Sequence, residues 1–258
     1  MNAEAIARLC PAGLAAATGI EVVQETGSTN ADLLARAPQL TRNTVLIAER
    51  QSAGRGRAGR SWLSVPGGSL TFSLAWKFPG PLHALAGLPL AVGVALAEAL
   101  AALNVNVQLK WPNDLLKDGA KLAGVLIETQ VAPGGAVWAV IGVGLNLHLP
   151  DELEARIGRP AASAPWLASM NRDALMAALL TALAASLDQF GQLGFKAFSA
   201  RWNRLHAYQG SAVQIVDRGV TVDQGIAAGV DDNGALLLDR AAGRSVIVAG
   251  DVSLRAQV

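Results

Sequence analysis

At 258 residues the chain can form one large domain or a main domain with a small appendage. With 52% of it apolar and only 16% charged, disorder is excluded. The formal charge of +1, from 21 basic and 20 acidic residues, creates no bulk demand for a nucleic-acid or anionic-membrane partner.

A helical leader over residues 1–18 precedes a strand at 20–25, and Ser28-Thr29-Asn30 supplies N-cap side chains for a short helix at 31–37. A second strand follows at 44–49. Over 69–76 the alternation is strict, with Leu70, Phe72, Leu74 and Trp76 on one face and Ser69, Thr71, Ser73 and Ala75 on the other. An apolar helix at 84–103 leads to a strand at 105–110. Next comes a hairpin, 115–117 and 120–130, whose Asp118-Gly119 turn supplies the positive φ angles of type I′. A strand at 136–144 returns, and 146–169 reads as a long loop. The pattern over 171–208 is helical, interrupted near Gly191 and Gly194. From Gly210 onward short β-type runs at 212–216, 220–227, 235–239, 245–249 and 252–255 alternate with Gly and Asp turns, the pattern of a small barrel.

The single cysteine, Cys10, rules out an internal disulfide and a Cys-clustered metal site, and fits a reducing compartment. The longest apolar stretch, 84–97, is shorter than the roughly 20 residues of a spanning helix and contains Pro89. The N-terminus lacks a basic start followed by an apolar run. No membrane association is expected, and the expected location is the cytoplasm.

Gly54-Arg55-Gly56-Arg57-Ala58-Gly59 satisfies the dinucleotide-binding pattern, but a β-type segment follows it and residues 50–97 contain no Asp or Glu to hold a ribose. A Walker-type phosphate loop is absent too, because no G-K-[ST] follows. What remains is a basic loop: 50–97 carries Arg50, Arg55, Arg57, Arg60 and Lys77 without an acid. Arginine forks suit polyphosphate oxygens and glycines admit close backbone approach. A solvated surface loop or an RNA contact has about the same standing on composition alone. In the hairpin, Leu116 opposite Lys121 puts Asp114 on the diagonal of Lys121, within reach of a long side chain. Such a pair can stabilise charge developing on an attacked phosphorus, or be an ordinary surface ion pair worth less than about 1 kcal/mol.

Taken in order, Ser28-Thr29-Asn30, Gln51 with the Gly-Arg loop and Trp62, Lys110-Trp111-Pro112-Asn113-Asp114, Lys121-Leu122-Ala123-Gly124-Val125-Leu126-Ile127-Glu128, Gly142-Val143-Gly144-Leu145-Asn146 and Val252-Ser253-Leu254-Arg255 resemble the biotin protein ligases. The resemblance runs from about residue 20 to the end. It implies an α+β fold, a mixed β-sheet with helices on one face like that of class II synthetases, plus a C-terminal SH3-like barrel. The implied division is a leader at 1–18, a catalytic domain at 19–208 and a barrel at 209–258. The implied activity is ATP-dependent biotinylation, with Mg2+, of one lysine on the biotin carboxyl carrier protein of acetyl-CoA carboxylase, through biotinyl-5′-AMP.

By the same resemblance Ser28, Thr29, Asn30, Gln51 and Gly124 hold biotin. Arg55, Gly56 and Arg57 order over biotin and adenylate, Arg60 adds phosphate charge, and Trp62 covers the ligand. Lys121 contacts the carboxylate and α-phosphate, with Asp114 orienting it or helping with the metal, so the catalytic set is Lys121, Arg57 and Asp114. Asn113, Gly142, Gly144, Asn146 and Arg255 complete the ATP site, the two glycines leaving room for the nucleotide. A covering loop keeps water from a hydrolysable mixed anhydride.

Two departures are visible: Ala58 stands where some members carry arginine, and the leader is too short for a winged helix-turn-helix, so no operator binding is expected. The family's exposed sheet edge serves carrier docking or self-association, which leaves room for a homodimer. The rival readings are a lipoate or octanoate ligase of the same fold and, from another class, an RNA-binding module, which would need interleaved exposed aromatics. An acyl-enzyme octanoyl transferase would need a cysteine in the site, and Cys10 precedes the first strand.

Overall fold

The computed structural model describes residues 1–132, 134–150, 160–248 and 252–256. Two short helices, α1 (Ala3–Leu9) and α2 (Ala12–Ala17), lead into β1 (Thr18–Thr26). Then follow α3 (Thr29–Arg36), β2 (Asn43–Gln51), β3 (Ser69–Phe78) and α4 (Leu88–Ala102). The short β4 (Gln108–Lys110), the hairpin β5 (Asp114–Lys117) and β6 (Ala120–Val131), and β7 (Val137–Asn146) complete the main sheet. Among the described residues three helices come next: α5 (Pro165–Ala168), α6 (Arg172–Leu193) and α7 (Lys196–Leu205).

The strand order is β1-β2-β3-β7-β6-β5-β4, with β1 and β2 parallel and every other neighbour antiparallel, so the sheet is mixed as expected. Period-two alternation gives it two different faces. Val45 and Ile47 of β2, Leu70, Phe72 and Leu74 of β3, and Ile141 and Val143 of β7 point into one large core built with α1, α4, α6 and α7. The opposite face carries Leu46, Ala75, Trp138 and Val140, and there Leu33 and Ala37 at the α3 end pack against them. The helices therefore lie on both faces, not one. α3 covers only part of its face, and the polar Thr71 and Ser73 look out from the rest of β3.

The expected helix 84–103 is a 3-10 turn, Leu82–Leu85, followed by α4, broken where Gly87 turns left-handed before Pro89. Leu82–Ala102 and Arg172–Leu193 are long and apolar enough to cross a membrane by composition, but α4 and α6 pack on the sheet and on each other. Gly191 does not interrupt α6. Leu187 and Phe190 are buried beside it, Phe78 lies at ordinary contact distance, and one glycine costs a helix only about 1 kcal/mol. The break comes at Gly194, with φ +65°.

The C-terminal strands β8 (Ala212–Asp217), β9 (Val220–Val230), β10 (Leu236–Arg240), β11 (Gly243–Ile247) and β12 (Val252–Ala256) form one antiparallel sheet ordered β11-β10-β9-β8-β12. Among the described residues β11 and β12 do not pair, so no closed barrel is found; the expected run to 249 ends outside the described residues. Val213, Ile215, Leu236, Leu238 and Leu254 of this sheet join the large core of the main sheet. Hydrogen bonds cross the junction, among them Trp111 Nε1 donating to Gly234 O at 3.1 Å and Val230 N to Asn203 Oδ1 at 2.8 Å. The leader is built in as well, since Ile6 is fully buried in that core.

Candidate active site

The uncovered part of the α3 face is a cavity of about 490 Å³, closed at one side by β12 through Val252, Leu254 and Arg255. It gathers Ser28, Thr29, Asn30, Gln51, Arg55, Gly56, Arg57, Arg60, Trp62, Asn113, Asp114, Lys121, Gly124, Gly142, Gly144 and Arg255. Of the residues expected from sequence, Asn146 alone does not line it. That side chain is buried at the end of β7, where its amide donates to Ala162 O at 3.1 Å and Lys121 O at 3.4 Å. Among the described residues six basic side chains line the cavity (Arg55, Arg57, Arg60, Lys110, Lys121, Arg255) against one carboxylate, Asp114. Such a field favours a ligand with several negative charges.

Lys121 and Asp114 meet as the diagonal argument required, but by a different path. The type I′ turn is present, with φ +51° at Asp118 and +78° at Gly119, and Leu116 pairs with Lys121. A bulge then shifts the register so that Asp114 faces Gly124. The lysine reaches the carboxylate by crossing the bare Cα of Gly124, where a Cβ would lie 2.8 Å from Nζ. Nζ donates to Asp114 Oδ1, with both side chains less than a fifth exposed. The backbone of Lys121 is held from its other side by the 160–162 segment, Ala162 N donating to Lys121 O at 2.9 Å. Only 160–169 of the expected loop can be described beyond His148-Leu149-Pro150; 151–159 lie outside the described residues. Burial, with the Asp114 charge second, pushes the Tyr208 hydroxyl above its usual pKa and keeps it neutral.

The basic loop closes on itself as a tight hairpin. Trp62 N donates to Gly54 O at 2.9 Å, Arg55 bridges Ser61, and Gly56 N donates to Arg60 O at 2.7 Å. At its tip Ala58 takes a left-handed conformation, φ +53°, beside Gly59 at φ +69°. Arg57 reaches Asn113 Oδ1 at 3.2 Å, and Asn113 in turn donates to Val125 O at 2.7 Å. The Trp62 indole lies over the sheet, and Lys121 Nζ stands 5.8 Å from its centroid, within cation–π range.

The two glycines of β7 face protein side chains in the structure. A Cβ on Gly142 would come 2.3 Å from Asn30 Oδ1, and one on Gly144 would come 2.2 Å from the Trp62 ring. Their missing side chains admit Asn30 and Trp62. At the far end Ser28 caps α3, accepting from Ala31 N at 3.4 Å, so the following residues turn their side chains toward β3 and β6. Gln51 Oε1 accepts from Thr29 N at 2.8 Å, Thr29 and Ser73 hydroxyls stand 2.7 Å apart, and Ser73 donates to Asn30 Oδ1 at 2.7 Å. This region offers donors and acceptors together, as a cyclic urea requires.

Ser73, Ser61 and Leu126 also line the cavity without having been singled out from sequence. Ser73 was legible in principle, since it sits on the polar face of an alternating strand. Among the described residues no three His, Cys, Asp or Glu side chains converge, so no ready-made metal cage exists. Among the described residues Asp114 is the one carboxylate in the lining, which fits a magnesium ion held chiefly by nucleotide phosphates.

Residues 20–146 match the Biotin/lipoate A/B protein ligase family and residues 209–255 the Biotin protein ligase C terminal domain. Among curated relatives, the Bifunctional ligase/repressor BirA of Escherichia coli is 35% identical over 246 residues, 92% of this chain and 74% of that protein. The Biotin--[acetyl-CoA-carboxylase] ligase of Mycobacterium tuberculosis is 37% identical over 245 residues, covering 90% and 88%. Among solved structures, the biotin protein ligase of Aquifex aeolicus in complex with biotin and ATP superposes with a TM-score of 0.78 at 28% identity, covering 93% of this chain and 99% of that one. The chain belongs to the biotin protein ligases of this family, and it is an enzyme that joins biotin to protein.

Proposed function

We propose that the chain activates biotin as biotinyl-5′-AMP and transfers it to one lysine of the biotin carboxyl carrier protein of acetyl-CoA carboxylase, in the cytoplasm. A biotin carboxylate oxygen attacks the α-phosphorus of ATP, the bond to the β-phosphate oxygen breaks, and pyrophosphate leaves. The carrier lysine amine then attacks the biotinyl carbonyl carbon, and AMP departs as the amide forms and the amine proton is lost.

The observation that carries this reading is the convergence on one cavity of the Lys121–Asp114 pair, the arginine hairpin and the Ser/Thr/Asn/Gln cluster. Lys121, fixed by Asp114, is the group to offset charge between carboxylate and α-phosphate oxygens. Arg55, Arg57, Arg60, Asn113 and Arg255 supply charge and donors for the phosphates. Ser28, Thr29, Asn30 and Gln51 take the ureido ring, with Gly56 allowing close approach of the hairpin. Trp62 covers the ligand from the lid and helps exclude water. Asn146 would serve the nucleotide from behind, by holding the Lys121 backbone in place. A magnesium ion would enter with the nucleotide and rest against Asp114, where it supplies neutralising charge on the phosphates.

The test is exchange of labelled pyrophosphate into ATP by purified protein. Exchange is expected with biotin, and not with lipoate or octanoate. Lys121→Ala should lower it by about 100-fold or more, the scale of losing one transition-state charge partner. Exchange with lipoate instead would move the chain to the lipoate ligases, and exchange with none of these acids would end the adenylation reading.

A further inference from the structure

Glu128 carries no role in the mechanism above, yet it touches both the arginine hairpin and the polar cluster of the cavity. It lies on β6 two residues beyond Leu126, on the face that looks toward α3, with its side chain about a quarter exposed. Asn30 Nδ2 donates to its Oε2 at 2.8 Å, and Arg55 Nη2 donates to Oε2 at 2.9 Å and Oε1 at 3.2 Å. One carboxylate thus holds the hairpin and the polar end of the cavity at once.

Its chemistry also dictates the direction of the hydrogen bonds beyond it. An ionised carboxylate only accepts, so at 2.8 Å, with the more distant Leu126 O at 3.4 Å, it turns the Asn30 NH2 toward β6 and its carbonyl toward Ser73. The Ser73 proton is then committed to Asn30, and Ser73 Oγ can only accept from Thr29 at 2.7 Å. That commits the single Thr29 hydroxyl proton to Ser73. Gln51 Oε1, 3.1 Å from Thr29 Oγ1, is left to the Thr29 backbone N–H at 2.8 Å. The Thr29 hydroxyl therefore meets a ligand as an acceptor, suited to an N–H.

We infer that Glu128 is a positioning residue: it sets the proton order of the Asn30–Ser73–Thr29–Gln51 chain so that the site accepts ligand N–H groups, and it latches the hairpin through Arg55. The inference rests on the biotin reading for the ligand's identity but not for the latch, and two measurements keep them apart.

The first is calorimetric titration of the full-length protein with biotin. Glu128→Gln keeps the shape but lets the amide donate, so Asn30 can turn over and the chain lose its order. Its biotin Kd should rise about tenfold or more, the scale of losing a bond to a charged group, while its ATP Kd moves less than about twofold. Glu21→Gln, which removes an arginine partner on the distant β1, should leave both unchanged. Glu128→Asp keeps an acceptor-only group and should bind biotin better than Glu128→Gln; equal weakness in the two would overturn the proton-order claim, and so would wild-type affinity in Glu128→Gln.

The second measurement is the rate of trypsin cleavage after Arg55 and Arg57 without ligand. Glu128→Gln, which keeps the reach but loses the charge, should be cut several-fold faster than wild type, because a neutral amide holds Arg55 less tightly. Cleavage at the wild-type rate would remove the latch. If wild-type protein bound no biotin, the functional reading would fall, and the trypsin result would still decide the latch.

Discussion

Gly142 and Gly144 stand two residues apart on one face of β7, and the same methyl group added to each should have opposite consequences. At Gly142 the new Cβ would lie 2.3 Å from Asn30 Oδ1, where ordinary contact begins near 3.4 Å, so the amide must retreat by more than 1 Å. Asn30 is held by Ser73 at 2.7 Å, Glu128 at 2.8 Å and Leu126 O at 3.4 Å, and has nowhere to go without breaking some of them. Two weakened bonds at about 1 kcal/mol each, with overpacking at the low end of its range, come to roughly 3 kcal/mol. For a chain of this size that lowers Tm by roughly 6–12 °C. At Gly144 the obstacle is the Trp62 ring at 2.2 Å, and its Nε1 makes no hydrogen bond that a shift would break. The indole can turn aside about its own side-chain bonds, the hairpin staying latched, at the cost of apolar contact and the approach to Lys121, about 1 kcal/mol. Gly144→Ala should therefore lower Tm by only roughly 2–4 °C but raise the KM for ATP, while Gly142→Ala also raises the KM for biotin. Differential scanning calorimetry with pyrophosphate exchange reads all of these. Equal Tm losses, or a larger one at Gly144, would refute the assignment of fixed and movable neighbours.

Burial holds the His206 imidazole neutral, its pKa lowered to about 4, with Gln209 at 3.4 Å from Nδ1 and Trp202 and Tyr208 packed around it. Because the folded pKa lies below the unfolded value near 6.5, this contribution is present above pH 6.5 and is lost as pH falls toward 4; about 2 kcal/mol should go between pH 7.5 and 5. Denaturant titrations of wild type and His206→Phe at those pH values check this, since the variant should lose that part of the slope. Trp111→Phe removes the donor to Gly234 O, which joins the two sheets. It should cost about 2 kcal/mol in urea unfolding, and a loss below about 0.5 kcal/mol would mean water takes the place of the indole N–H.

Where local chemistry decides conformation, the sequence was enough. Asp118-Gly119 can hardly be anything but a type I′ turn, and the alternation of β3 gave both of its faces. Sixteen of the expected site residues reach one cavity because the motifs lie at strand ends and turns that the sheet order brings together. What escaped was decided by distant partners. The bulge that carries Lys121 over Gly124 depends on how β6 meets both β5 and β7, and the side chosen by α3 depends on which face Leu33 finds unfilled. Gly142 and Gly144 read as room for a ligand because their occupants come from residues 30 and 62, far along the chain. Glu128 was visible in its motif, but its partners Asn30 and Arg55 lie 98 and 73 residues away.

The alternation of the main sheet separates two kinds of risk for anyone altering this enzyme. On β7 the odd positions 139, 141, 143 and 145 are bound into the large core, whereas 142 and 144 look toward the cavity. Libraries aimed at a biotin analogue can therefore vary Ser73 on β3 and Leu126 on β6 without disturbing the helices behind. Changes that rescue a weakened variant should be sought on the opposite register. A single strand thus offers independent control of tolerance and of chemistry, one residue apart.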